Sequence, residues 1–245
     1  MGLIAHPVPG KPKAAALCAA FIAGAPKTAT GHVFYGVKDT NAHAWKKVLA
    51  SGEPYYFIDN SYFDAVRVGS SSTEGGQFRV TRNAIQLQGA RRRYSDGKRW
   101  AALGIEIKPW EDRIRGYWLA IEQSEIFMKF SAREPRWYFN TIRNLQATGE
   151  PVKVRPWNPD KTKIQKTLHA DLEGARAVVT HSSAAAITGA IAGVPFVVSP
   201  ESAIHGMLPD ERFHFMRVLA DAQYTVEELR SGFAWVMIHE TERSE

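Results

Sequence analysis

Short apolar runs of strand length alternate with amphipathic stretches along the 245 residues, and that alternation restricts the chain to folds in which helices cover parallel strands. In the first half, strands over 3–8, 33–37 and 55–58 enclose helices over 13–23 and 42–49, a βαβαβ start. A Ser/Gly-rich loop at 69–76 then leads to a further run at 78–80. A second alternation opens with a strand at 117–121. Its first helix carries Trp137, Tyr138, Ile142 and Leu145 at helical spacing, followed by strands at 152–155, 177–179 and 196–198 and helices at 162–172 and 183–192. Thr225 followed by Glu228 is a capping box that starts a last helix of about four turns. The turn at Pro109-Trp110 separates the two alternations. The expected division is therefore 1–112, 113–225 and a C-terminal helix over 226–245, with ligands bound at the carboxyl ends of the strands.

No apolar run approaches the roughly 20 residues of a membrane span, so no membrane partner is expected. Lys11 and Lys13 ahead of the apolar stretch 14–24 mimic a signal peptide, but the segment serves equally as the first helix after a strand. The single cysteine, Cys18, excludes an internal disulfide and suggests a reducing, cytoplasmic compartment. No Cys/His cluster has zinc spacing, and no metal is expected. With 31 Lys+Arg against 25 Asp+Glu the chain carries +6, which suits a polyanionic partner. The charge is concentrated at Arg91, Arg92, Arg93, Lys98 and Arg99, a basic loop interleaved with Tyr94 and Trp100. A solvated surface turn has the same composition.

The stretch VVTHSSAAAITGAIAGVPFVV, residues 178–198, reads as a strand that stops at Thr180-His181-Ser182-Ser183, a helix of small residues, the turn Gly193-Val194-Pro195 and another strand. Residues just after a parallel strand lie at the ligand edge, and the next helix offers unpaired N–H groups that attract anions. Ser182 or Ser183 also suits a plain helix cap, with His181 a satisfied histidine. Ser124, Arg155 and Glu201 fall at other strand ends of the same half. Together they would serve a nucleotide diphosphate, Arg155 neutralising phosphate and Glu201 accepting from ribose hydroxyls. There is neither a GxGxxG in a strand-turn-helix setting nor a GxxxxGK[ST], which argues against a dehydrogenase or a P-loop enzyme.

The segment VKVRPWNPD, the His-Ser-Ser junction and the Gly-Val-Pro turn resemble the donor-binding half of GT-B glycosyltransferases. Capsule and surface-polysaccharide transferases and the small glycosyltransferase-like proteins of tailed bacteriophages are the groups they look most like. YYFIDNSYF, FRVTRNAIQ and YTVEELRSGFAW resemble the same phage proteins. The resemblance implies an α/β, GT-B-like fold, two small Rossmann-like halves facing a central cleft: an acceptor half first and a nucleotide-sugar half second. It implies a nucleotide-sugar donor, of the UDP-sugar class, lying on Ser182 and Ser183, with Arg155 and Ser124 near the diphosphate, Glu201 near the ribose and His181 facing the cleft. No bound cofactor or metal is implied, because cationic side chains stabilise the leaving diphosphate. Trp157 departs from the pattern, standing where relatives often carry a second basic residue.

An inverting transfer needs a base for the acceptor hydroxyl, and Asp59, just past a strand of the first half, is the candidate, with Asp39 in reserve. Asp59 also fits an Asx-turn ahead of Asn60-Ser61. The implied acceptor is a hydroxylated, 5-hydroxymethyl-type pyrimidine in double-stranded phage DNA, with Arg82, Arg91, Arg92, Arg93, Lys98 and Arg99 on its phosphates. Tyr62, Phe63 or Tyr94 would stack on a flipped base. A surface-glycan or lipid-linked acceptor, a catalytically inactive DNA-binding module of the same fold, and a sugar-nucleotide epimerase are the rival readings.

Overall fold

The structure is a computed structural model that describes residues 2–69, 71–111, 115–130, 132–157 and 167–243, the side chains of 241–243 excepted. The chain forms two compact units, one of residues 1–104 with 216–245 and one of 105–215. The first begins β1 (Leu3–His6), α1 (Pro12–Gly24), β2 (Gly31–Tyr35), α2 (Ala42–Ser51), β3 (Tyr55–Asn60), β4 (Phe78–Arg82) and α3 (Lys98–Leu103). Strands β1, β2 and β3 run parallel, as the alternation predicts, and β4 turns back antiparallel to β3. Four consecutive residues of β3, Tyr55 to Ile58, are buried because both faces of the sheet are covered. On one face Tyr56 and Ile58 pack with Leu17, Cys18 and Phe21 of α1. On the other, Trp45 of α2 meets Tyr55 and Phe57 edge-on.

The second unit holds β5 (Tyr117–Ile121), α4 (Glu125–Phe130), α5 (Trp137–Ala147), β6 (Val152–Arg155), α6 (Leu168–Glu173), β7 (Ala175–Thr180), α7 (Ala185–Ile191) and β8 (Phe196–Val198). Its sheet is wholly parallel, in the order β6-β5-β7-β8. The chain leaves β5 towards β6 on one side and then continues through β7 and β8 on the other, so the order reverses between β5 and β7. The helix expected over 162–172 appears as α6, its start fixed by Thr167, whose hydroxyl accepts from Ala170 N at 3.2 Å. Residues 158–166 lie outside the described ones.

The chain then returns to the first unit through α8 (Arg212–Asp221), β9 (Gln223–Tyr224), α9 (Val226–Arg230) and α10 (Phe233–Arg243). Here the expected boundaries differ. The division falls at 104/105, and residues from 216 on belong to the first unit because β9 adds to its sheet antiparallel to β4. The last helix is two helices. Gly232, at φ +87°, breaks it, and a side chain there would sit 2.6 Å from Gly24 O. The basic loop at 98–100 is helical, as α3.

Candidate functional site

Open parallel sheets bind ligands outside the strand carboxyl ends where the strand order reverses, and in the second unit that point lies between β5 and β7. The two loops that leave it are bonded to each other. Gln123 Nε2 donates to Ser182 Oγ at 3.3 Å, and Ser182 N donates to Gln123 Oε1 at 3.3 Å. Below them Thr180 Oγ1 donates to Ile121 O at 2.9 Å. Ser124 Oγ accepts from Phe127 N at 3.2 Å and so caps α4; Ser183 Oγ accepts from Ala185 N at 3.2 Å. Ser124 and Ser183 are half-buried, whereas Ser182 is buried.

His181 organises this edge from inside. It is fully buried, contrary to the expectation that it faces a cleft, because Phe127 and Trp137 close over it edge-on with ring centres 5.8 and 6.1 Å away. Its Nδ1 lies 3.3 Å from both Ser182 Oγ and Ser199 Oγ, and its Nε2 lies 3.3 Å from Glu201 Oε1. Glu201 Oε1 also accepts from Arg133 N at 2.8 Å and Glu134 N at 3.2 Å. Burial pushes the Glu201 carboxyl up, but His181 and the two amides outweigh it and hold the group below its ordinary range. Glu201 therefore ties the segment before α5 to the end of β8, a holding task beyond the ribose contact expected of it.

At the end of β6, Arg155 and Lys153 share one carboxylate. Lys153 Nζ lies 2.6 Å from Asp171 Oδ1, and Arg155 pairs with Asp171 Oδ2. The Asp171 side chain is only 4% exposed; burial raises its pKa, but the bonds from Lys153 and Arg155 prevail and lower it. Two cations thus meet one carboxylate at this strand end.

In the first unit Asp59, expected as a base, is half of an ion pair. Its Oδ2 accepts from Arg79 at 2.5 Å and its Oδ1 from Asn60 N at 2.7 Å. Neighbouring Asn60 Oδ1 accepts from Lys13 Nζ and Tyr35 OH, each at 3.2 Å. Of the basic residues expected on DNA, Arg91 and Arg92 are exposed and Lys98 is exposed beside Asp96, at 2.8 Å. Arg82 and Arg93 line a small cavity with Gln86, Gln88, Tyr94 and Asp221. Arg99 departs from the expectation. It points inward, with bonds to Ala220 O at 3.3 Å, Gln223 O and both oxygens of Glu228, because the returning chain supplies acceptors there.

Sequence reasoning missed Gln123, Ser199 and Asp171. Gln123 had a signal, its place directly after a strand and before Ser124. Asp171 had none, since only the fold brings it to Arg155.

A comparison with solved structures aligns 84% of this chain with 84% of the chain of Thermosulfurimonas dismutans KpsC, beta Kdo 2,7 transferase, at 11% identity and a TM-score of 0.48. No protein-family model matches the sequence, and no curated protein matches it. The fold is mixed α/β, with two units built on parallel strands and covering helices, the sheet of the first extended by the antiparallel strands β4 and β9. Among the described residues no helix is long and apolar enough to cross a membrane.

Proposed function

We propose that the chain is a GT-B-like glycosyltransferase that binds a nucleotide-sugar donor, of the UDP-sugar class, on its second unit and needs no metal. One observation carries the reading: all four strand ends of a parallel sheet present polar side chains, centred on its switch point, with Ser124, Arg155, Ser182–Ser183 and Ser199–Glu201 in sequence. Arg155 and Lys153 balance the charge that develops on the leaving diphosphate. Ser124 and Ser183 orient the donor, while buried His181 and Glu201 keep their loops in place. The acceptor we propose is a 5-hydroxymethyl-type pyrimidine in double-stranded DNA of phage kind, a reaction of the cytoplasm in which that DNA replicates. Its support is the exposed trio side of the first unit: Arg91 and Arg92 for phosphates and Tyr94, 86% exposed, as a stacking surface.

Nucleosides from 5-hydroxymethyl-modified and unmodified DNA, incubated with the protein and UDP-, GDP- or CMP-sugars, test this by mass spectrometry. A sugar mass added only to the modified base is the expected result. Donor binding without any addition to DNA, but with addition to a surface-glycan acceptor, keeps the transferase and replaces the acceptor. Neither donor binding nor transfer sinks the reading.

A further inference from the structure

The first unit holds a cavity where β4 ends, between the loop of residues 83–94 and the returning segments α8, β9 and α10, so all its walls belong to that one unit. Arg82 on its rim pairs with Tyr56 near the start of β3. The cavity therefore lies towards the amino end of the parallel strands, whereas Asp59 stands at the carboxyl end of β3. Ligands of open α/β sheets bind at the carboxyl ends, which makes this a separate site. The loop is pinned along its length. Asn83, in the left-handed region at φ +52°, bonds both polar backbone groups of Tyr55: its N donates to Tyr55 O at 2.9 Å and its Oδ1 accepts from Tyr55 N at 3.0 Å. Thr81 Oγ1 donates to Ala84 O at 2.6 Å, Leu87 N to Tyr62 OH at 2.9 Å, and Arg93 Nε to Gln88 O at 3.2 Å.

The lining is graded from floor to mouth. Val80, Val218 and Ile238, all buried, form an apolar floor. Gln86 and Gln88 bring amides that both donate and accept, and Asp221 brings a carboxyl that burial raises above its ordinary range although Ser95 bonds to it. An N–H donated to that carboxyl offsets its burial. Tyr94, the most exposed of the lining residues, presents an open aromatic face at the mouth. The cavity measures about 100 Å³, against the roughly 10–15 Å³ that one water needs and the roughly 300–1,000 Å³ of a site for a whole cofactor. That is room for one six-membered ring with its substituents. An apolar floor for the faces of a ring, amides and a carboxyl for its edge and an aromatic side chain beside it are what a planar heterocycle needs. Arg91 and Arg92 stand exposed on the turn Ala90–Arg92, directly between Gln88 and Arg93 of the lining, where phosphates on either side of such a ring would lie.

We propose that this cavity takes one unpaired pyrimidine base of a DNA strand, with its edge on Gln86, Gln88 and Asp221, Tyr94 stacked at the mouth, and Arg91 and Arg92 on the flanking phosphates. The proposal rests on the DNA part of the reading above and not on sugar transfer. The base held here anchors and selects the strand; it is not the base that reacts.

Fluorescence anisotropy with three duplex oligonucleotides tests the site: one fully paired, one with a single bulged thymine, and one with an abasic site in place of that thymine. The wild type is expected to bind the thymine bulge about tenfold more tightly than either of the others. Tyr94→Ala changes an exposed side chain and Asp221→Asn keeps the size of the original, so both spare the fold, and each should remove most of that preference. Arg91→Ala should instead weaken all three duplexes alike. Equal affinity of the wild type for the thymine and abasic bulges, or a preference that survives in both Tyr94→Ala and Asp221→Asn, overturns the proposal and leaves DNA binding standing. Thymidine 5′-monophosphate bound as tightly as the bulge also overturns it, by making the cavity a site for a free nucleotide. A wild type that binds none of the duplexes overturns the DNA reading and this one with it.

Discussion

Arg99 donates to both carboxylate oxygens of Glu228, at 2.5 and 2.9 Å, and so joins α3 to the start of α9 across 129 positions of sequence. Glu228 also closes the capping box with Thr225, accepting from Thr225 N at 2.8 Å. One carboxylate thus fixes a helix start and docks it on the first unit. The pair is about a quarter exposed, between the surface and buried limits, so Arg99→Ala should cost about 1–3 kcal/mol of stability. Denaturant unfolding checks this. A loss of DNA affinity with unchanged stability would instead return Arg99 to the nucleic-acid surface.

The approach of α1 to the α9–α10 turn leaves no room for a methyl group. A Cβ on Gly24 would lie 2.1 Å from Leu229 O and 2.6 Å from Gly232 N, both backbone atoms. Gly24→Ala should therefore force the C-terminal segment off α1, at a cost of about 1–3 kcal/mol or more. Proteolysis is expected to cut the variant near residues 230–233 faster than the wild type. Equal cleavage rates would mean that the backbone yields without penalty.

The strands of the second unit were legible to the residue at 117–121, 152–155 and 196–198, because short runs rich in β-branched and aromatic residues, bounded by turn residues, mark strands even at a sheet edge such as β6. The polar strand ends were legible for the same reason: a run that stops at Thr180-His181-Ser182 announces its own edge. Strand direction was not. The run at 78–80 reads alike whether it pairs parallel or antiparallel, and β9 is two residues, Gln223–Tyr224, too short to show a period. Partners such as Asp171 for Arg155 and Glu228 for Arg99 depend on tertiary return of the chain. For that reason two arginines that read as anion ligands proved to be paired.

Asp171→Asn tests the strand end at β6 from the donor side. It removes the anion shared by Lys153 and Arg155 and frees positive charge at the edge. Stability should fall by about 1–3 kcal/mol, while donor affinity is held or strengthened. Arg155→Ala combined with Ser183→Ala should weaken donor affinity roughly tenfold, the equivalent of 1.4 kcal/mol. Calorimetric titration with nucleotide sugars separates the two. Weaker binding in Asp171→Asn would show that the carboxylate positions Arg155 for the phosphate.

Acid should weaken the fold in two stages. The His6 pKa is lowered from 6.5 by burial and by His32, so the native state binds fewer protons than the unfolded one, and the stability it confers is lost as pH falls below 6.5. Asp171, Glu201 and Glu228 are lowered despite burial, by their cationic and amide partners. Their share is present above the ordinary values of 3.8 for Asp and 4.5 for Glu and is lost as pH falls through the native values. Asp221 runs the other way. Burial raises its pKa from 3.8, so its contribution declines as pH rises, and Asp221→Asn should stabilise the protein at pH 7. Unfolding midpoints from pH 3 to pH 8 for both proteins decide it; a less stable Asp221→Asn would mean that its bond to Ser95 outweighs the burial.

Asp59→Asn distinguishes an ion-pair residue from a base. Arg79 is 7% exposed at the side chain and its guanidinium lies over the Tyr62 ring, 4.9 Å from the centroid, so losing the carboxylate leaves a buried cation without its anion. That should cost about 1–3 kcal/mol of stability. Turnover, measured below the unfolding range, should stay within about tenfold of wild type, because both oxygens of the Asp59 carboxylate are already engaged, by Arg79 and by Asn60 N. Loss of turnover by several orders of magnitude with donor affinity and stability intact would restore Asp59 as the base. In that case the carboxylate would have to leave Arg79 when the acceptor arrives, and Arg79→Lys, which keeps the charge but loosens the fork, should then speed the reaction rather than slow it.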